Sequence, residues 1–225
     1  MSGPRARRRA VVISAAAVLT LLLFGTTPAS ATTVISTGHI DGFDIDYAGG
    51  NLTLDIRDNT VNPANDDLPA ANAQLGVLPG ALSTVPSGSS FACLGTAGAP
   101  VYLLPQSQNV NLLWPGWDAN DVPSGVLTNN KVALQLVSST MPAGARFALY
   151  TTSLGSASFK FNTNTAPGCQ ITSWPSGGIS QGTHGHGWWA FSTAGTYTLT
   201  FRATATTTGG VAKSSGNQTY TFVVG

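Results

Sequence analysis

The chain has 225 residues and a formal net charge of +1, and only 8 % of its residues are charged, against roughly a quarter in ordinary soluble domains. Its ten basic residues face nine acidic ones, all aspartate. Four of the ten are spent at Arg5, Arg7, Arg8 and Arg9, and the other six are too scattered to track a phosphate backbone, which excludes nucleic acid as a partner.

The four arginines open a recognisable leader. An apolar run from Ala10 to Phe24 follows them, and Ala29, Ser30 and Ala31 supply an A-x-A cleavage site. Residues 1–31 are therefore read as a secretory signal, too short and wrongly flanked for a membrane anchor, with no membrane span after its removal. Residues 32–225 remain as a single domain carrying six basic residues and nine aspartates, a net charge of −3. Gly, Thr, Ser, Ala and Asn replace the missing charge, which fits a secreted β-domain better than a cytoplasmic enzyme. In that compartment the two cysteines, Cys93 and Cys169, are expected to form one disulfide, the alternative being two buried thiols.

The first elements of the mature chain alternate. Phe43, Ile45 and Tyr47 share one face, Gly49 and Gly50 turn, and Leu52, Leu54 and Ile56 form the next inward face, the pattern of a β-hairpin. Residues 58–90 are rich in Pro, Asn, Asp and Ser and read as a long loop with one strand near Leu75 to Leu78. Strand-like runs recur at Lys131 to Val137, Arg146 to Thr151 and Ser156 to Phe161, followed by a second long loop over residues 162–183. The cleanest alternation comes last. Tyr197, Leu199, Phe201, Ala203 and Ala205 point one way against Thr196, Thr198, Thr200, Arg202 and Thr204, and Tyr220, Phe222 and Val224 close the chain. The run Ala194 to Thr200 reads as a tyrosine corner centred on Tyr197. The expected fold is all-β, an immunoglobulin-like antiparallel β-sandwich with long loops.

Few residues carry chemistry. His184 and His186 are two apart, so on an extended segment their rings share a face and can present two nitrogens to one ion. The only other histidine is His39, and Asp41 lies on the same strand face by the same period. His39, His184, His186 and Asp41 are thus a candidate metal site for Zn²⁺, or for Mn²⁺ if carboxylate takes a larger share. The plainer reading stands beside it: the HGHGWW segment is a glycine-loosened strand start whose histidines stack on Trp188 and Trp189. Adjacency places those two tryptophans on opposite faces, one buried and one more exposed. Trp188, Trp117 and Trp174 are candidate stacking surfaces for sugars in a cell-wall adhesion module, against the alternative that most tryptophans are core.

Enzyme signatures are absent. Gly178 to Gly182 matches G-x-S-x-G, but the surroundings are loop and strand instead of the strand-to-helix turn that a nucleophile elbow needs. No aspartate pair is singled out for glycoside hydrolysis, and the chain has no glutamate. No catalytic residue and no organic cofactor are expected, and a hydrolase ranks third among the readings.

The ordered blocks GHIDGFDIDY, LTLDIRD, FACLGTAG, VYLLPQSQ, LLWPGWD, FALYTTSLG and HGHGWWAFSTAGTYTLTFRATA resemble the actinobacterial surface-anchored protein domain family, also called the choice-of-anchor M domain. The likeness spans the mature chain, with His184, His186, Trp189, Phe191, Gly195, Tyr197 and Leu199 at the positions of the family's last block. The resemblance implies an exported cell-envelope domain often associated with ABC transport systems for manganese or zinc, whose components are then expected partners alongside cell-wall material. Two departures stand out. The sequence ends on YTFVVG without a sortase motif or hydrophobic tail, implying release or non-covalent retention, and Cys93 and Cys169 look like additions to the family pattern.

Overall fold

A computed structural model describes residues 32–58 and 67–225. The signal sequence read at residues 1–31 and residues 59–66 of the first long loop lie outside the described residues.

The chain opens with β1 (Thr33–Ile35) and β2 (Gly38–Asp44). The expected hairpin follows. Strands β3 (Tyr47–Ala48) and β4 (Asn51–Leu52) close on Gly49 and Gly50, whose φ values of 58° and 83° are the two positive angles a type I′ turn requires. Then β5 (Asp55–Asp58) returns antiparallel to β2, and Phe43, Ile45, Leu52, Leu54 and Ile56 are all buried. The described part of the first long loop holds β6 (Asp67–Leu68), β7 (Ala73–Val77) and β8 (Leu82–Thr84), with β7 at the strand expected near Leu75.

Next come β9 (Pro100–Leu104), β10 (Leu113–Asp118), β11 (Lys131–Thr140), β12 (Phe147–Ser153) and β13 (Ser156–Asn162). The second long loop ends in β14 (Ile179–Ser180) and β15 (His184–His186). The chain finishes with β16 (Trp188–Phe191), β17 (Gly195–Thr206), β18 (Ala212–Ser214) and β19 (Gln218–Val224). The described helical segments are short 3₁₀ turns, and among the described residues no helix is long and apolar enough to cross a membrane. The fold is all-β.

Three sheets carry it. The largest runs β1-β7-β19-β17-β11-β14, with β18 also paired to β17; a second runs β15-β10-β2-β5-β6; a third runs β13-β12-β16-β9-β8. The expectation of a wholly antiparallel arrangement is corrected here, because β1 with β7, β7 with β19 and β2 with β10 pair parallel. Parallel neighbours need long crossover connections, and here several other strands intervene in each case, β3 to β9 between β2 and β10 for example. The sheets are mixed.

All three sheets contribute to one core. Phe43 from the second sheet lies at its centre, with ring centroids 4.7 Å from Phe201 of the first and 5.1 Å from Trp189 of the third. Strand β17 buries Tyr197, Leu199, Phe201 and Ala203 while its threonines stay partly accessible, as its alternation demands. The Tyr197 hydroxyl donates to the Thr193 carbonyl at 2.9 Å and accepts from its N–H at 3.2 Å, the corner read from the sequence.

The third sheet is buried on both faces. Phe147, Leu149, Trp189 and Phe191 face the main core, whereas Ala148, Tyr150 and Ala190 face a second cluster with Phe91, Leu94 and Val101. That explains the unbroken apolar runs FALY and WWAF. The second face is covered by the turn Ser89–Leu94. The expected disulfide, Cys93 to Cys169 with Cα atoms 5.3 Å apart, ties that cover to the second long loop.

Candidate metal centre

The site is built across three adjacent strands in the order β15-β10-β2. The outer two carry the donors. On β2, His39 and Asp41 share a face, and on β15, His184 and His186 share a face. The middle strand lets them meet. Gly116 of β10 pairs with His186 on one side and with Asp41 on the other, and Trp114 pairs with His39. Since Gly116 has no side chain, the imidazole of His186 lies over it; a Cβ there would stand 2.7 Å from His186 Cε1. Trp117, opposite Gly185, uses the same device in reverse, since a Cβ on Gly185 would stand 2.7 Å from its ring.

One donor atom from each of His39, Asp41, His184 and His186 lies within 4.8 Å of all the others. His184 Nε2 is 2.8 Å from Asp41 Oδ1, and His39 Nε2 is 3.7 Å from the same oxygen. The three imidazole centroids are 5.0–5.6 Å apart. An ion with bonds of about 2.0–2.1 Å keeps its donors within about 4 Å, so occupancy would draw the four inward. Every histidine in the chain is at this one place.

Burial sets the protonation. Asp41 is 2 % exposed, and its pKa is raised by that burial, which His39 and His184 partly oppose and Asp118 reinforces. The His186 imidazole is pushed down to about 4 by burial and by His39 and His184, against a smaller opposing pull from the Pro115 carbonyl. It is therefore neutral at physiological pH, the form that ligates a metal. Both His186 ring nitrogens are buried and, among the described residues, make no well-formed hydrogen bond, an arrangement that carries a desolvation cost unless something else engages them.

A second group, wholly acidic, gathers where β2 ends and β6 runs nearby in the same sheet. Carboxylate oxygens of Asp44, Asp46 and Asp67 are within 4.8 Å of one another, but Arg57 already stands among them. Its guanidinium is 2.7 Å from Asp121, 3.1 Å from Asp44, 3.6 Å from Asp46, and 3.8 Å from both Asp67 and Asp118. One cation cannot neutralise five carboxylates. Burial and the neighbouring acids accordingly raise Asp44 and push Asp46 up to about 6.

The tryptophans singled out as stacking surfaces are not gathered on one face. Trp174 is buried, with its ring against Trp117 at 5.0 Å and Phe161 at 5.8 Å. Trp117 is half-buried beside Gly185. Trp188 lies on the third sheet beside Tyr150 and donates to Thr152 Oγ1 at 3.1 Å. Of the adjacent pair, Trp189 is the fully buried one. Ser180, at the centre of the G-x-S-x-G match, sits in β14 and not at a strand-to-helix turn, and its carbonyl accepts from Thr183 Oγ1 at 2.6 Å.

Sequence reasoning counted Trp114 only among tryptophans that could stack on sugars, giving it no place beside the histidines, and missed Gly116 and Asp118. Their importance comes from register between strands, and the one local signal was the run LLWPGWD, in which a proline and a glycine separate two tryptophans. Compared with protein-family models, with curated proteins and with solved structures, the chain matches none of them.

Proposed function

We propose that the protein is a secreted cell-envelope binding domain that takes up one divalent transition ion, Zn²⁺ or Mn²⁺, at His39, Asp41, His184 and His186, and serves a metal ABC transport system. The carrying observation is convergence: all three histidines and one buried carboxylate, from strands far apart in sequence, come within 4.8 Å of one another. Three imidazoles with a single carboxylate favour Zn²⁺ over the harder Mn²⁺. Four protein donors complete a tetrahedral shell, the arrangement of a binding site more than of a catalytic one, which keeps a position open for water. The disulfide supports an oxidising compartment, and the Tyr197 corner supports reading the sheets as an elaborated immunoglobulin-like sandwich.

Isothermal titration of the purified protein with Zn²⁺ and with Mn²⁺ tests this. One ion per chain is expected, with binding lost in the His184→Ala, His186→Ala double variant. A wild-type protein that shows no metal-dependent heat and no metal in elemental analysis overturns the reading.

A further inference from the structure

The ring of His186 has a defined plane but, among the described residues, no well-formed hydrogen bond to hold it. Neither nitrogen makes a well-formed bond, and the residue across the strand pair is Gly116, which offers no side chain. What fixes the plane is Trp114. The two rings are stacked at 3.7 Å between centroids with only 13° between their planes, so the imidazole lies nearly face to face on the indole. Trp114 also touches His39, at 5.1 Å and 58°.

Trp114 is itself held from the other side. Its indole N–H donates to the Gln106 carbonyl at 3.0 Å. The Gln106 side chain in turn accepts from the Thr152 N–H at 2.7 Å and from its hydroxyl at 3.2 Å. Thr152 belongs to β12, so the indole plane is referenced to the third sheet while the donors belong to the second. A ring that must aim a lone pair at an ion needs such a reference, because ligand affinity depends on the orientation imposed by groups outside the ligand shell.

We infer that Trp114 is a positioning residue for the metal centre: its indole, anchored through Gln106 to β12, sets the ring plane of His186. This rests on the metal reading above, and the experiment separates the two. Zn²⁺ affinity is measured by titration for the wild type, Trp114→Phe and Trp114→Leu, with thermal unfolding of each to establish folding. Trp114→Leu is expected to lose about 10- to 100-fold in affinity, the range for losing a group that orients a ligand. Trp114→Phe keeps a flat face and is expected to recover most of that loss.

In the metal-free protein, the imidazole proton resonances of His186 are expected to carry a ring-current shift that persists in Trp114→Phe and disappears in Trp114→Leu. Equal affinity in the folded Leu variant and the wild type overturns the positioning role while leaving the metal reading intact. Absence of binding in the wild type overturns the metal reading. An unshifted His186 resonance in the wild type overturns the stacking itself, whatever the metal result.

Discussion

Gly116 and His186 face each other across β10 and β15, and a Cβ on Gly116 would stand 2.7 Å from both His186 Cε1 and the Gly185 carbonyl oxygen. The second of those atoms is backbone, so no side-chain rotation can make room. Gly116→Ala is therefore expected to push β15 off β10 and separate the donors. Overpacking of this kind costs about 1–3 kcal/mol, and Zn²⁺ affinity should fall at least tenfold, the lower figure for disturbing the surroundings of a ligand. Urea unfolding and metal titration of the same sample check the two effects.

Tyr197→Phe removes a hydroxyl that both donates to and accepts from the Thr193 backbone. Thr193 is exposed and can turn to water, so the expected loss is about 1 kcal/mol, the net value of an ordinary hydrogen bond. In urea the midpoint should move while the slope stays constant. A changed slope would instead locate the effect in the unfolded chain.

Replacing Cys93 and Cys169 together by serine opens a loop spanning 76 residues. The expected loss is about 4 kcal/mol on the chain-entropy account. The cover over the third sheet should loosen with it, since Asn162 and Asn164 both donate to the Cys93 carbonyl. Under conditions where the variant stays folded, Zn²⁺ stoichiometry should be unchanged, because the donors are on β2 and β15. Titration before and after the exchange gives the answer.

Two groups pull stability in opposite directions over one pH window. The Asp46 carboxyl ionises at about 6 in the folded protein against an ordinary 3.8, so between those values the folded state holds the extra proton and stability falls as pH rises. The raised Asp44 extends that fall to higher pH. The His186 imidazole ionises at about 4 when folded against an ordinary 6.5. There the unfolded state holds the extra proton and stability rises with pH. Metal-free unfolding at pH 4 to 8 should thus show Asp46→Asn gaining on the wild type as pH rises through 6. The His186→Ala variant should fall behind the wild type over the same range.

What could be read in the sequence depended on how many faces of a strand meet water. Strands β17 and β19 bury one face, so their threonines and aromatics alternate and their ends could be placed. Strands β12 and β16 are covered on both faces, leaving FALY and WWAF without a period to read. The hairpin was visible because Gly49 and Gly50 write their own conformation. The parallel pairing of β2 with β10 was not, because nothing local records which distant strand will lie alongside. The same division runs through the site. His184 with His186 and His39 with Asp41 are local pairs at strand spacing, whereas Trp114 and Gly116 gain their roles only from the alignment of three strands.

The donors are also divided in time. Asp41 and His184 are 143 residues apart, and a ribosome adding about 5–20 residues per second makes the first pair roughly 7–30 seconds before the second. No truncated product ending before β15 contains a complete shell. Nor can a chain that has failed to align β2, β10 and β15 hold the ion at full strength. Occupancy at this place would report that synthesis has passed β15 and that β2, β10 and β15 are aligned, although β16 to β19 come later in the chain, so an apparatus that recognised only the loaded form would refuse every fragment lacking β15.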